Sequence, residues 1–151
     1  METPATIRAL AALRLEEATL LINQHKPDGA FYLAGYSIEL ALKAKIAERL
    51  GVNSLFADPP LPGDQFADMG KLRSVLYTHK LEFLLVVSGL RAAYTQAKAT
   101  NKLFAKLDPL FRTWDEQLRY RMPGQVSTAD VQEFIHFLNA PLGLLSWIKN
   151  S

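Results

Sequence analysis

The sequence predicts an all-α fold, an up-and-down bundle of about five helices in one domain spanning residues 1–151, and three observations predict it. Apolar residues recur at three- and four-residue intervals over long stretches, the spacing of one helix face. No segment alternates apolar and polar residues as a half-buried strand does. Eight Pro and eight Gly in 151 residues leave room for long uninterrupted helices.

Thr3-Pro4 opens the first helix, with Thr as cap and Pro at a position that needs no amide. Ile7, Leu10, Ala11, Arg14, Ala18, Leu21 and Ile22 follow at mostly helical spacing, and Leu13, Leu15 and Leu20 widen the stripe. Pro27 and Gly29 punctuate its end, and Asp28 is expected to cap a second helix that stops at Gly51. So short a connection makes the two helices antiparallel neighbours. A Pro- and Gly-rich loop, mobile by composition, follows over about 52–70. Helicity resumes near Lys71 or His79, with Leu81, Leu84, Leu85 and Ser88 on one face. A fourth helix is expected from Arg91 to Tyr120, broken or kinked at Asp108-Pro109 because Pro lacks the amide. After a second loop, Ser127 or Thr128 opens the last helix, with a stripe of Val131, Phe134, Leu138, Leu142 and Leu145 and a bend at Pro141.

Composition narrows the function classes. A formal charge of +2 is too small to argue for nucleic acid unless a basic patch is local. With no Cys, disulfides and thiolate metal sites are impossible. His25, His79 and His136 show no metal-ligand spacing, so no metal and no cofactor are expected. The Gly-containing loop lacks the Lys-Ser/Thr ending of a phosphate cradle. The N-terminus lacks a signal peptide's apolar run, and no apolar stretch is long enough to span a membrane. A cytoplasmic protein with no membrane contact is the expectation.

The second helix raises the sharpest question. From Gly29 to Leu42 its one charged residue is Glu39, with Lys43 a turn later and Tyr32 and Tyr36 a turn apart before it. Glu followed by Lys at four residues is the favourable order for a pair on one face. A carboxylate inside so apolar a helix must be paired or hydrogen-bonded. Lys43, Arg119 and the Tyr hydroxyls are the available partners. Two readings stand: a structural ion pair, or a polar site beside a nucleotide or dimer cleft.

The order of "GAFYLAGYS", "IELALKAKI", "THKLEFLL" and "WDEQLRYRMPG" before a final amphipathic helix resembles the HEPN family, from about Leu10 to Trp147. Its most specific parts are the ELALKA-like run and Arg119-Tyr120, although Arg121 and Met122 intervene before Pro123, where the family places Pro directly. The resemblance implies a HEPN-like bundle, commonly a homodimer, acting beside a minimal nucleotidyltransferase partner protein or on a nucleotide or RNA ligand. Some members are toxin ribonucleases of toxin–antitoxin pairs, and others are binding modules without catalysis.

The family's ribonucleases carry Arg-x(4–6)-His, and Arg73 to His79 is the instance here, with Ser74 where a stronger polar residue is favoured. Such chemistry needs no metal: His79 would be general acid or base, and Arg73 would hold the phosphate. Against it, six residues of α-helix leave the two side chains about 120° apart. They converge only across a short loop or between subunits. The alternative is that His79 merely starts the next helix. Lys43, Arg112, Arg119, Tyr120 and Arg121, with Trp114, are the candidates for nucleotide or phosphate binding. Arg112 and Arg119 share a face if their helix is continuous, but Asp115 and Glu116 between them and a Trp suited to a core favour a structural network. A purely structural homodimer without ligand is the remaining alternative.

Overall fold

The computed structural model describes residues 2–56 and 69–151. Among them are eight α-helices, one 3-10 turn and no strand. The helices are α1 (Pro4–Asn23), α2 (Pro27–Leu50), α3 (Met69–Leu76), α4 (Leu81–Val87), α5 (Arg91–Thr100), α6 (Lys102–Thr113), α7 (Thr128–Asn139) and α8 (Leu144–Asn150), and the 3-10 turn is Glu116–Tyr120. Most of the loop expected over about 52–70 lies outside the described residues.

Both ends of the first hairpin follow from local chemistry. The Thr3 hydroxyl accepts from the Thr6 amide while the Thr6 hydroxyl accepts from the Thr3 amide at 2.8 Å, a reciprocal cap with Pro4 at the first position. At the far end of α2, Gly51 takes the left-handed conformation (φ 66°) that closes a helix cheaply only without a Cβ. The Ser54 amide, just past α2, donates to the Glu2 carbonyl just before α1 at 2.7 Å, so the two helices run antiparallel. Asp28 is not the cap of α2. Lys26 occupies that position, and Asp28 instead accepts from the Gly124 amide at 3.2 Å, tying the second loop to the start of α2.

Helix α2 is the inner rod. Phe31, Ala34, Ile38, Leu42, Ala44, Ile46 and their neighbours are buried, and Phe31 meets Phe134 of α7 edge-on at 5.7 Å. Helices α4, α7 and α8 and the 3-10 turn pack around it. Away from the rod, Phe104 joins the layers, edge-on to Phe137 at 4.9 Å and to Trp147 at 5.6 Å. Two cations of α2, buried Lys45 and exposed Arg49, close the C-terminal ends of other helices. Lys45 donates to the Lys149 carbonyl at 2.9 Å and Arg49 to the Ser88 carbonyl at 2.6 Å, where the helix dipole favours positive charge.

Each of the three later helices expected from the sequence is split, which turns about five helices into eight. The chain breaks at Asn101, extended at φ −122°, whose side chain accepts from the Leu103 amide at 2.9 Å and caps α6. Pro109 is accommodated inside α6, so no break falls at Asp108-Pro109. Pro141 ends a helix rather than bending one: Ala140 before it is extended (φ −62°, ψ 149°), as the proline ring demands of its predecessor. Leu142 leaves the expected apolar stripe and is 90% exposed. Ser127 caps α7 as expected, accepting from the Asp130 amide at 3.1 Å.

Asp108 organises the outer layer. It accepts from the Tyr94 hydroxyl at 2.7 Å and from Arg112 at 2.7 Å, with Lys98 at 3.3 Å. Burial pushes its carboxyl up, but the donors Arg112, Tyr94 and Lys98 outweigh burial and hold it below the ordinary carboxylate range. The Tyr94 hydroxyl moves the other way, raised by burial and by its bond to Asp108. A depressed carboxyl stabilises the fold above its unfolded value, and that contribution is lost as pH falls through the depressed one. Asp108→Asn is therefore expected to cost about 1–3 kcal/mol at neutral pH. Its gap from wild type should narrow once pH drops below about 3.9, the ordinary Asp value. Urea unfolding of both proteins at the two pH values measures the difference.

Candidate functional site

Between Phe31 and Ala47, the residues of α2 that keep some exposure are Tyr32, Leu33, Tyr36, Leu40 and Lys43. Their spacing makes one stripe along the rod. Glu39 lies beside that stripe and is 1% exposed. It is not alone: Lys43 Nζ stands 2.8 Å from Glu39 Oε1, and His79 Nδ1 stands 2.9 Å from Oε2 and 3.1 Å from Oε1. An ionised carboxylate only accepts, so His79 Nδ1 carries the hydrogen and, in the neutral ring, Nε2 keeps its lone pair.

Local structure brings His79 there. Helix α3 ends at Leu76, and Tyr77–Lys80 is non-helical before α4 begins at Leu81. The Thr78 hydroxyl accepts from the Lys80 amide at 3.2 Å, which turns the segment. Lys80 occupies the cap position of α4 without a side-chain cap, so His79 does not start that helix. It bonds to α2 instead.

The site opens into a cleft of about 270 Å³ walled by Tyr36, Lys43, Phe56, Tyr77 and His79, with Glu39 among its lining residues. Lys43 Nζ sits 5.3 Å from the centre of the Phe56 ring, a cation–π contact that holds the ammonium at the wall. Phe56 is itself held from two sides. Its amide donates to the Glu2 carboxylate at 3.0 Å, while Arg73 Nε donates to the Leu55 carbonyl at 3.2 Å. Burial, then the neighbouring Glu39 and Tyr32, raise the Tyr36 hydroxyl above its ordinary value, Arg14 opposing, so it remains a donor at neutral pH. A second cleft of about 280 Å³ adjoins the first through Leu10, Tyr36 and Leu40 and adds Arg14 and Tyr32. On its other side His79 borders a cleft of about 290 Å³ with Phe111 and Trp114 as apolar wall and Glu82, Asp115 and Glu116 as acidic rim.

The structure thus gathers Glu39, Lys43 and His79 and separates the other candidates. Arg73, on α3, is 7% exposed and donates to the carbonyls of Leu55 and, at 3.4 Å, Ser54. It supports the cleft wall and is not among the residues lining the cleft. Arg112 lies on α6, bound to Asp108 and 2.9 Å from Glu82. Helix α6 stops at Thr113, so Arg112 and Arg119 do not share one continuous helical face. Arg119 lies beside the Tyr32 hydroxyl and over the Tyr120 ring at 5.0 Å, and its hydrogen bond to Tyr32, then Tyr120, raise its already high value further. Glu39's partners are therefore Lys43 and His79, and Arg119 pairs elsewhere. Arg121 is 3.8 Å from Asp115, and Tyr120 is 74% exposed. Trp114 is core: its indole donates to the Tyr32 carbonyl at 3.0 Å. His25 and His136 are exposed and distant in sequence from the cleft residues.

Phe56 and Tyr77 were missed by the sequence reading. Phe56 lies in the loop after α2 and Tyr77 in the turn between α3 and α4, where periodicity carries no information about what a side chain meets. Among the described residues no cluster of three or more His, Asp or Glu is placed to hold a metal ion, and no helix is long and apolar enough to cross a membrane. Compared with protein-family models, with curated proteins and with solved structures, the chain matches none.

Proposed function

We propose that the chain is a HEPN-like binding module whose ligand, a nucleotide or a short stretch of RNA, enters the cleft of Tyr36, Lys43, Phe56, Tyr77 and His79. The observation that carries this reading is the arrangement around Glu39. A purely structural ion pair needs no opening to solvent, yet here one partner of the buried carboxylate, His79, has a side chain 46% exposed at a cleft wall. Lys43 supplies a charged donor for a phosphate, His79 presents its imidazole at the cleft wall, and three aromatic rings supply stacking surfaces for a base. The sequence resemblance supports the same ligand class and makes a separately encoded minimal nucleotidyltransferase the proposed protein partner.

Calorimetric titration with AMP and with a short single-stranded RNA tests this. Wild type is expected to bind at least one of them saturably. His79→Gln keeps a donor for Glu39 but removes the imidazole, and it is expected to weaken binding roughly tenfold, the value of one hydrogen bond. Folded wild-type protein that binds neither ligand would end the proposal.

One observation favours a second reading, a metal-independent endoribonuclease. Glu39 fixes the Nδ1–H tautomer of His79, which leaves Nε2 able to take the proton of a ribose 2′-hydroxyl as its oxygen bonds to phosphorus and the 5′-oxygen leaves. Lys43 would then hold the phosphate, and Arg73 would act by fixing the wall. Cells expressing wild type are expected to show cleaved RNA that cells expressing His79→Gln do not. Equal RNA integrity in the two removes this reading and leaves the binding module standing.

A further inference from the structure

We infer that the base taken by the His79 cleft is guanine, read along its Watson–Crick edge by the carboxylate of Glu2. The inference rests on the ligand reading above and adds which base the site selects. Glu2 lines the same cleft as Tyr36, Lys43, Phe56, Tyr77 and His79. It lies ahead of α1, outside any helix, in a kind of segment that is loose unless tied down. Here it is tied three times. Its carbonyl accepts from the Ser54 amide at 2.7 Å and from the Ser54 hydroxyl at 3.4 Å, and its Oε1 accepts from the Phe56 amide at 3.0 Å.

Those bonds hold the carboxylate without exhausting it. Oε2 makes no hydrogen bond or ion pair among the described residues, and Oε1 keeps a lone pair. Among the described residues, no other group lining the cleft offers two acceptor oxygens side by side. Both oxygens of Glu39 are engaged by Lys43 and His79, and that residue is 1% exposed. Lys43 only donates, the Tyr36 and Tyr77 hydroxyls have one oxygen each, and His79 Nε2 holds one lone pair.

Guanine is the base that matches. Its N1–H and its 2-amino group are adjacent donors, and they meet a carboxylate in the two-pronged way a guanidinium does. Adenine and cytosine set a ring-nitrogen lone pair beside their one amino group, which a carboxylate oxygen repels. Uracil has a single N–H between two carbonyls. The rest of the cleft fits a nucleotide lying along Phe56. The Phe56 amide holds Glu2 and its ring meets Lys43 at 5.3 Å, so the base-reading acceptor and the phosphate-binding ammonium stand at opposite ends of one residue. Tyr77, 57% exposed on the cleft wall, offers an open ring face for stacking.

Calorimetric titration of the full chain with the 5′-monophosphates GMP, IMP, AMP, CMP and UMP tests it. GMP is expected to bind about tenfold more tightly than AMP, CMP or UMP, the value of one hydrogen bond to a charged group. IMP keeps N1–H but lacks the 2-amino group, and is expected to bind about tenfold more weakly than GMP, a comparison that needs no variant. Glu2→Gln still accepts from the Phe56 amide but turns an amide N–H toward the base. It is expected to bring GMP down to the affinity of AMP and to leave AMP unchanged, whereas a merely structural Glu2 would affect all five alike. GMP bound no better than the other bases, IMP equal to GMP, or a Glu2→Gln variant that keeps the preference or weakens all five alike would each overturn the inference and leave the cleft a nucleotide site. Folded wild type that binds none of the five would end the ligand reading and this inference with it.

Discussion

Gly35→Ala is expected to destabilise the fold by roughly 3 kcal/mol or more, combining the cost of overpacking with that of a displaced hydrogen bond. A Cβ at Gly35 would stand 2.0 Å from both Cδ1 and Nε1 of Trp114. The indole cannot simply swing away. It is 6% exposed, its Nε1–H is committed to the Tyr32 carbonyl at 3.0 Å, and its ring lies 6.2 Å from that of Tyr32. Adjustment would have to move the segment between α6 and the 3-10 turn away from α2. Against a total stability of about 5–15 kcal/mol, that is a large share. Chemical denaturation measures it, and a midpoint equal to wild type would show that Trp114 does not pack on α2 in this way.

The second large effect concerns the buried carboxylate. Replacing Lys43 by Met and His79 by Ala together removes both side-chain donors from Glu39, which is 1% exposed. Stranding a buried charge costs about 3–5 kcal/mol. Adding Glu39→Leu to that protein removes the stranded charge and should return most of the loss, because an apolar side chain suits the surroundings of α2. The order of stabilities is thus wild type above or near the triple variant, and both well above the double. Either single substitution should cost less than half the double, since one donor to the carboxylate remains. Urea unfolding of the four proteins gives the order. A double variant as stable as wild type would mean that Glu39 is hydrated, and the site as described would not exist.

Much of this arrangement was legible in the sequence, and the legible parts share a cause. Thr3-Pro4, Gly51 and Ser127 mark helix ends because a short polar side chain or a missing Cβ acts on its own neighbours, so each landed where the residues put it. The burial of Leu81, Leu84, Leu85 and Ser88 followed from spacing alone. The demand that Glu39 be paired came from the cost of burying charge, and Lys43 was nameable because it lies one turn away. His79 could not be named as the other partner: it reaches Glu39 from 40 residues on, across a turn whose path no periodicity encodes. Asp28 misled for a related reason. Its carboxylate suits a helix N-terminus, but the incoming Gly124 amide offered it a better-placed donor than its own helix did. The late break at Asn101 was masked by the more conspicuous Pro109, although Asn is a strong cap and a proline within a helix costs stability without always ending it. Leu13 and Leu20, which widen the apolar stripe expected of α1, are exposed, because apolarity alone does not say that a side chain is covered.

The most direct test follows the three histidines of the ¹⁵N-labelled protein by NMR as AMP or a short single-stranded RNA is added. Only His79 lines the cleft beside Glu39, and exposed His25 and His136 serve as controls within the same molecule. The account predicts a saturable shift of the His79 ring signals, with its Nδ1–H retained throughout and the other two rings unmoved. If His79 stays still while ligand binds, or if all three rings move in parallel, the cleft at Glu39 is not the binding site.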